Sequence, residues 1–175
     1  TTPCSDISTL SLHDALPISG GYLIIPEKTL LKMKNHRQSI SGIFESGGVL
    51  IGSWRSNNST HLDNVLHAEV TDSTSPSPLD RRSRYHFVRK SSHHIESVLT
   101  AWHSSNGKIC YMGEWHTHPE DHPTPSAIDI DQWEKKLWNQ KAILIIIGIK
   151  SDWIGFWGGK KLYRLKSLVP EQILE

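Results

Sequence analysis

Two histidines two residues apart, His116 and His118, end a stretch of apolar and aromatic residues, and a proline follows them directly. Residues i and i+2 of a strand point to the same face, so a strand over 109–117 offers both imidazoles to one point in space. The stretch Lys108-Ile109-Cys110-Tyr111-Met112-Gly113-Glu114-Trp115 has the composition of such a strand, and Asn106-Gly107 before it is a turn signal. Pro119, Pro123 and Pro125 stop the strand and stiffen the loop behind it. Ser126 opens an amphipathic run, Ile128, Ile130, Trp133, Leu137, which reads as a helix to about residue 139.

The groups in this segment suit a catalytic zinc. His116 and His118 supply two nitrogen ligands, Asp129 an oxygen ligand, and one coordination position stays open for water. Asp129 falls in the first helical turn, where the helix dipole favours a carboxylate. Ser126 with Asp129 also reads as a capping box of the S-x-x-D kind, which alone accounts for both residues. A carboxylate spent on a cap is not expected to bind metal at full strength as well. A further acid, Glu45, stands in Phe44-Glu45-Ser46-Gly47-Gly48-Val49-Leu50-Ile51-Gly52. The glycines are expected to break a preceding helix and to start an apolar strand, Val49 to Trp54. An acid at the mouth of a buried strand is costly unless it is paired or working, and a zinc-activated water needs a nearby base. Taken alone, Glu45 reads as a solvated turn residue.

Together, Glu45, His116-Thr117-His118-Pro119 and Ser126-Ala127-Ile128-Asp129 form a pattern that resembles the JAMM motif of the MPN (JAB) zinc metallopeptidases. The resemblance runs from about residue 20 to 167, and no motif position is substituted. It implies that His116, His118 and Asp129 hold one Zn2+ ion. It implies that Glu45 acts as general base and then general acid, and that Ser126 steadies the oxyanion. It also implies a cytidine-deaminase-like fold. More finely, Gly113-Glu114-Trp115-His116-Thr117-His118-Pro119-Glu120, Pro123-Thr124-Pro125-Ser126 and Trp133 resemble the stand-alone bacterial branch found in antiphage CBASS operons. There the peptidase is similar to a deubiquitinase. It releases the C-terminus of a cGAS-like nucleotidyltransferase from molecules to which a ubiquitin-ligase-like partner has joined it. Two other functions stay open: a DNA-repair-associated type of JAB domain, and a non-catalytic scaffold. The first usually has Asn where this chain has Thr117, and the intact Glu45 speaks against the second.

Composition narrows the rest. A chain of 175 residues with net charge +1 has length for one core and no bias toward nucleic acid. Cys4 and Cys110 are too few for a disulfide framework or a thiolate zinc site, which suits a reducing, cytoplasmic setting. The apolar run Ala142 to Ile149 is too short to span a membrane. Residues 1–19 lack a starting methionine and a positive n-region, so they do not read as a signal peptide. They resemble a translated sequencing-adapter read, and they are taken as a non-native or disordered extension to a single domain over 20–175.

The remaining chain alternates. A short strand, Tyr22 to Ile25, precedes a helix from Glu27 to His36, and strand 48–54 pairs with a strand over 62–71. Ser91 or Ser92 caps a helix carrying Ile95, Val98, Leu99 and Trp102. A buried strand over 142–150 and a final pair over 153–158 and 160–166 follow. This order predicts an α/β fold, a mixed β-sheet flanked by helices on both sides. The loop from Asp72 to Lys90 and the strand around residues 112–115 are the candidates for meeting an extended substrate tail at an exposed edge. The loop's run Asp80-Arg81-Arg82-Ser83-Arg84 either meets an acidic surface or is a solvated basic loop.

Overall fold

The computed structural model describes residues 7–11, 21–56 and 66–167. Along the chain run β1 (Ile7–Ser11), β2 (Tyr22–Pro26), α1 (Glu27–Lys34), β3 (Gly47–Ser56), β4 (Leu66–Ser73), β5 (Arg81–Ser83) and β6 (His86–Val88). Then come α2 (His93–Ser104), β7 (Cys110–Thr117), α3 (Ala127–Lys136), β8 (Lys141–Ile147), β9 (Asp152–Gly158), β10 (Leu162–Arg164) and β11 (Lys166–Ser167).

Nine strands form one mixed sheet in the order β10-β9-β8-β7-β3-β4-β2-β1-β11. The β2–β4 and β7–β8 pairs are parallel, and the other pairs are antiparallel. β10 and β11 stand at opposite ends of this order, yet only Leu165 separates them in sequence. The sheet therefore curls until its two ends meet at Leu165, which is buried and donates its amide to Ile154 O at 2.9 Å. β5 and β6 form a separate hairpin outside the main sheet.

β8 is the centre of the core. Ile143, Ile145 and Ile147 face one layer with Leu23, Ile25, Met33, Leu50, Met112 and Trp115. Ala142, Leu144 and Ile146 face a second layer with Trp133, Leu137, Trp153 and Trp157. A strand covered on both faces needs a continuous apolar run rather than alternation, which is why 142–147 carries no polar residue. Burial of each such aliphatic side chain stabilises the fold by about 1.5–3 kcal/mol. α1 supplies Met33 to the first layer and α3 supplies Trp133 to the second, so helices lie on both sides of the sheet as expected.

Some expectations need correction. α1 stops at Lys34, and residues 35–46 are not helical, so Gly47 and Gly48 break no helix. They are glycines because a Cβ at Gly47 would lie 2.6 Å from Trp115 O and one at Gly48 2.3 Å from Thr74 O. α3 ends at Lys136, short of residue 139, where Asn139 turns left-handed with φ 56°. α2 does not bury its apolar stripe: Ile95, Leu99 and Trp102 are 67%, 50% and 46% exposed, and His94 is the buried residue instead. Ser92 is its N-cap residue but makes no side-chain capping bond. Of residues 1–20, Ile7–Ser11 is described and pairs with β2 and β11; the rest of that stretch and residues 57–65, which include the first part of the strand expected over 62–71, lie outside the described residues. Among the described residues no helix is long and apolar enough to cross a membrane.

Candidate metal centre

A β-bulge decides which way the histidines point. Opposite β3, Leu50 pairs with Gly113 but Ile51 pairs with Tyr111, so Met112 is an extra residue on β7. Without the bulge, alternation would place Met112, Glu114, His116 and His118 on one face. With it, Met112 stays in the first core layer, and Glu114 and His116 turn to the α3 side, against Trp133. Gly113 permits this, with φ 143° and a backbone so close to β8 that a Cβ would lie 1.9 Å from Ile143 O.

Three elements then converge. His116 Nε2 and His118 Nε2 are 3.0 Å apart. Asp129 Oδ1 lies 3.3 Å from His116 Nε2, and Asp129 Oδ2 lies 3.4 Å from His118 Nε2. Glu45 Oε1 lies farther off, 4.0 Å from His116 Nε2. Glu45, His116 and His118 are all buried, with ligand atoms within 4.8 Å of one another. Ligand atoms at zinc-bond length from a tetrahedral ion stand roughly 3.3 Å apart. The His116–His118–Asp129 separations match that spacing, so the donor set fits a single divalent ion.

The capping box is present too. The Ser126 hydroxyl accepts the Asp129 amide at 3.2 Å, and Asp129 Oδ2 accepts the Ser126 amide at 2.8 Å and its hydroxyl at 2.6 Å. Capping and the approach to the imidazoles share the carboxylate: Oδ2 accepts the cap bonds while lying 3.4 Å from His118 Nε2, and Oδ1, outside the cap, faces His116. Electrostatics agree with this grouping. Burial raises the Glu45 carboxyl to about 7, against the lowering pull of His116 and His118, with Asp129 and Glu120 adding to the rise. Burial alone would raise Asp129 as well, but hydrogen bonds with His116, His118 and Ser126 hold it well below the usual carboxylate range. Burial would lower His118, and Asp129 and Glu45 outweigh it, so its pKa is raised.

β7 is paired on both sides, by β3 and β8, so the strand around 112–115 offers no exposed edge to a substrate tail; the site opens instead into a cleft. One wall is the hairpin edge from Tyr85 to Arg89, and the other is α3 at Ile128, Gln132 and Lys136. Several residues that shape this site are not among the site residues expected from the sequence. Glu114 is buried between Arg89, with which it forms an ion pair, and the Trp133 indole N–H, which donates to it at 2.8 Å. Burial would raise Glu114, but Arg89 overcomes it and keeps the carboxylate ionised. Thr117, between the histidines, is fully buried. The run 80–84 splits: Asp80 is buried, Arg82 is half-buried and folds back onto the Glu45 segment, and Arg81 and Arg84 are exposed. His122 stays on the surface, with its Nδ1 2.8 Å from Ser151 Oγ.

A curled mixed sheet with His-x-His at one strand end, an aspartate at the next helix start and a glutamate facing them from the loop before β3 defines a JAB domain. The chain belongs to that family: residues 26–158 match the model for prokaryotic homologs of the JAB domain. It is 37% identical over 135 residues to a protein of Escherichia coli (strain TW11681) named CD-NTase/cGAS isopeptidase, covering 77% of this chain and 81% of that one. A protein of the same name from Vibrio cholerae serotype O1 is 35% identical over 139 residues, covering 79% and 81%. The fold is similar to the solution structure of a Desulfitobacterium hafniense protein, with TM-score 0.53 and 18% identity over 80% of this chain and 87% of the other.

Proposed function

We propose that this chain is a zinc-dependent, deubiquitinase-like isopeptidase that releases the C-terminus of a cGAS-like nucleotidyltransferase from the molecule to which it has been joined, in antiphage defence. The observation that carries the reading is the site geometry: three donors spaced for one ion and a buried glutamate just beyond them. The relatives' names supply the substrate class.

In this reading His116, His118 and Asp129 hold the ion, and Glu45, farther from both imidazoles, is left to move the proton. A zinc ion held there makes water acidic near neutral pH and polarises the scissile carbonyl. Glu45 takes a proton from the attacking water and returns it to the departing amine nitrogen as the C–N bond breaks. A carboxyl raised to about 7 by burial suits that exchange at neutral pH. Ser126 is placed at the cleft to donate to the carbonyl oxygen as it gains charge. Its hydroxyl now donates to Asp129, so the role requires it to turn. The substrate tail runs between the hairpin and α3, where an extended segment can add to the edge of β6 by main-chain hydrogen bonds. Tyr85 and Ile128, both largely exposed, give that passage apolar walls. Arg81 and Arg84 are the residues left to meet an acidic surface. A ubiquitin-ligase-like partner supplies the conjugate.

The test is cleavage of a fusion at the C-terminus of a nucleotidyltransferase by zinc-loaded protein. Cleavage that stops with phenanthroline and returns with added zinc supports the reading. An inert fusion that nevertheless binds tightly favours a scaffold, and cleavage that survives complete metal removal overturns the zinc mechanism.

A further inference from the structure

We infer that Arg82 is a positioning residue for Glu45, an inference that rests on the general-base reading of that glutamate. Glu45 lies in no strand, since β3 begins only at Gly47. Both of its main-chain polar groups are nevertheless tied down, and both to β5. Its N–H donates to Ser83 O at 2.7 Å, and its carbonyl accepts Arg82 Nε at 2.8 Å. Arg82 Nη2 also donates to Phe44 O at 3.3 Å and to the Ser46 hydroxyl. One planar guanidinium thus spans three consecutive residues with Glu45 in the middle. A rigid fork of donors can do this, and a lysine ammonium on a flexible stem cannot.

The rest of the surroundings leaves this work to the side chain. β5 is three residues long and pairs only with β6, so no ladder joins it to the main sheet. Behind Glu45, the Ser46 amide is held by the Thr117 hydroxyl at 3.0 Å. With Arg82 in front and Thr117 behind, the Cα of Glu45 is fixed and its carboxylate is directed at His116. Arg82 touches neither imidazole nor Asp129, so its loss should displace the base and leave the metal ligands in place. Misplacement of a reacting group by about 1 Å costs on the order of 10²-fold in rate.

The experiment compares Arg82→Ala, Arg82→Lys and Glu45→Ala in the full zinc-loaded chain, with the nucleotidyltransferase C-terminal fusion as probe. Expected for Arg82→Ala is a kcat loss of roughly 10–100-fold, with KM, bound zinc and Tm close to wild type. Millimolar guanidinium should restore part of that kcat and should do nothing for Glu45→Ala. Arg82→Lys should recover only a fraction of the loss. Wild-type kcat in Arg82→Ala, or a loss confined to KM or to bound zinc, overturns the inference. If Arg82→Ala does not fold, Arg82→Lys decides: wild-type kcat in that variant overturns the inference, and reduced kcat with full zinc supports it. Glu45→Ala separates the two readings. Wild-type turnover there removes the general-base role itself, whereas a dead Glu45→Ala beside a fully active Arg82→Ala refutes Arg82 alone.

Discussion

The hydroxyl of Thr117 accepts the Ser46 amide at 3.0 Å, so the residue between the two histidines holds the segment that carries Glu45. The same hydroxyl donates to Gln38 Oε1 at 3.0 Å, and the Thr117 amide donates to Ser46 O at 2.8 Å. The strand that presents the imidazoles and the loop that presents the acid are therefore locked to each other inside the protein. Thr117→Val keeps the shape but strands a buried amide donor and a buried amide oxygen. It should lower stability by about 1–3 kcal/mol and reduce turnover, whereas Thr117→Ser should retain both. Urea unfolding beside cleavage rates checks this, and a Val variant as stable and active as wild type would refute it.

Glu45 and the histidines should part company on mutation. Glu45→Ala should keep its zinc and lose about 10²–10⁴-fold in rate, the usual worth of a general acid–base group. His118→Ala should lose both metal and cleavage. Elemental analysis of each purified variant, read beside its rate, distinguishes them. A Glu45→Ala protein that had lost its zinc would make that residue a ligand.

Ser126 caps α3, and different substitutions separate that cap from its proposed oxyanion role. Ser126→Ala removes the cap and the hydroxyl, at about 1 kcal/mol for the cap, whereas Ser126→Gly loses only a few tenths. Both lack an oxyanion donor and should turn over about 10²–10³-fold more slowly. Equal slowing in the two variants, despite their different stabilities, is the expected result. Slowing that tracks stability instead would leave Ser126 as a cap only.

Acid sensitivity should show at Asp80, which is not one of the proposed ligands. Burial would raise its pKa, but the amides of Ser77, Ser91 and Lys90 and the ring of His94 outweigh burial and hold it at about 2. A carboxyl lowered in the folded state adds stability that is fully present above its unfolded pKa. That stability is lost as pH falls from 3.8 through about 2. Asp80→Asn should cost about 3 kcal/mol near neutral pH, and its deficit against wild type should shrink across that window. Urea midpoints from pH 6 to about 2 measure this; a deficit that stays constant throughout would exclude the assignment.

Much of this arrangement is legible in the chain, and what is not has a physical reason. The HxH pair, the Ser126 helix start and the strand at 142–147 are local patterns that need no partner to be read. The stripe Ile95, Leu99, Trp102 is a local pattern as well, yet the fold leaves it exposed, because periodicity shows that a helix has a face and not what covers it. Arg82 read as part of a solvated run because the two carbonyls and the hydroxyl it satisfies lie 36 to 38 residues away. The role of Glu114 was not legible, although the residue falls in a recognised stretch, because it depends on Arg89 and Trp133 from distant parts of the chain.

By itself, then, the sequence determined which residues could hold an ion, where α1 and α3 start, and that β8 lies in the core. Those properties follow from side-chain chemistry and short-range periodicity. The tertiary structure alone decided which face of β7 the histidines take, through the Met112 bulge and the room Gly113 leaves for β8. It alone brought both Asp129 oxygens up to the imidazoles while Oδ2 keeps the cap, and placed Glu45 within 4.0 Å of His116. Register and close approach between distant segments are set by packing, and no single stretch of chain contains them.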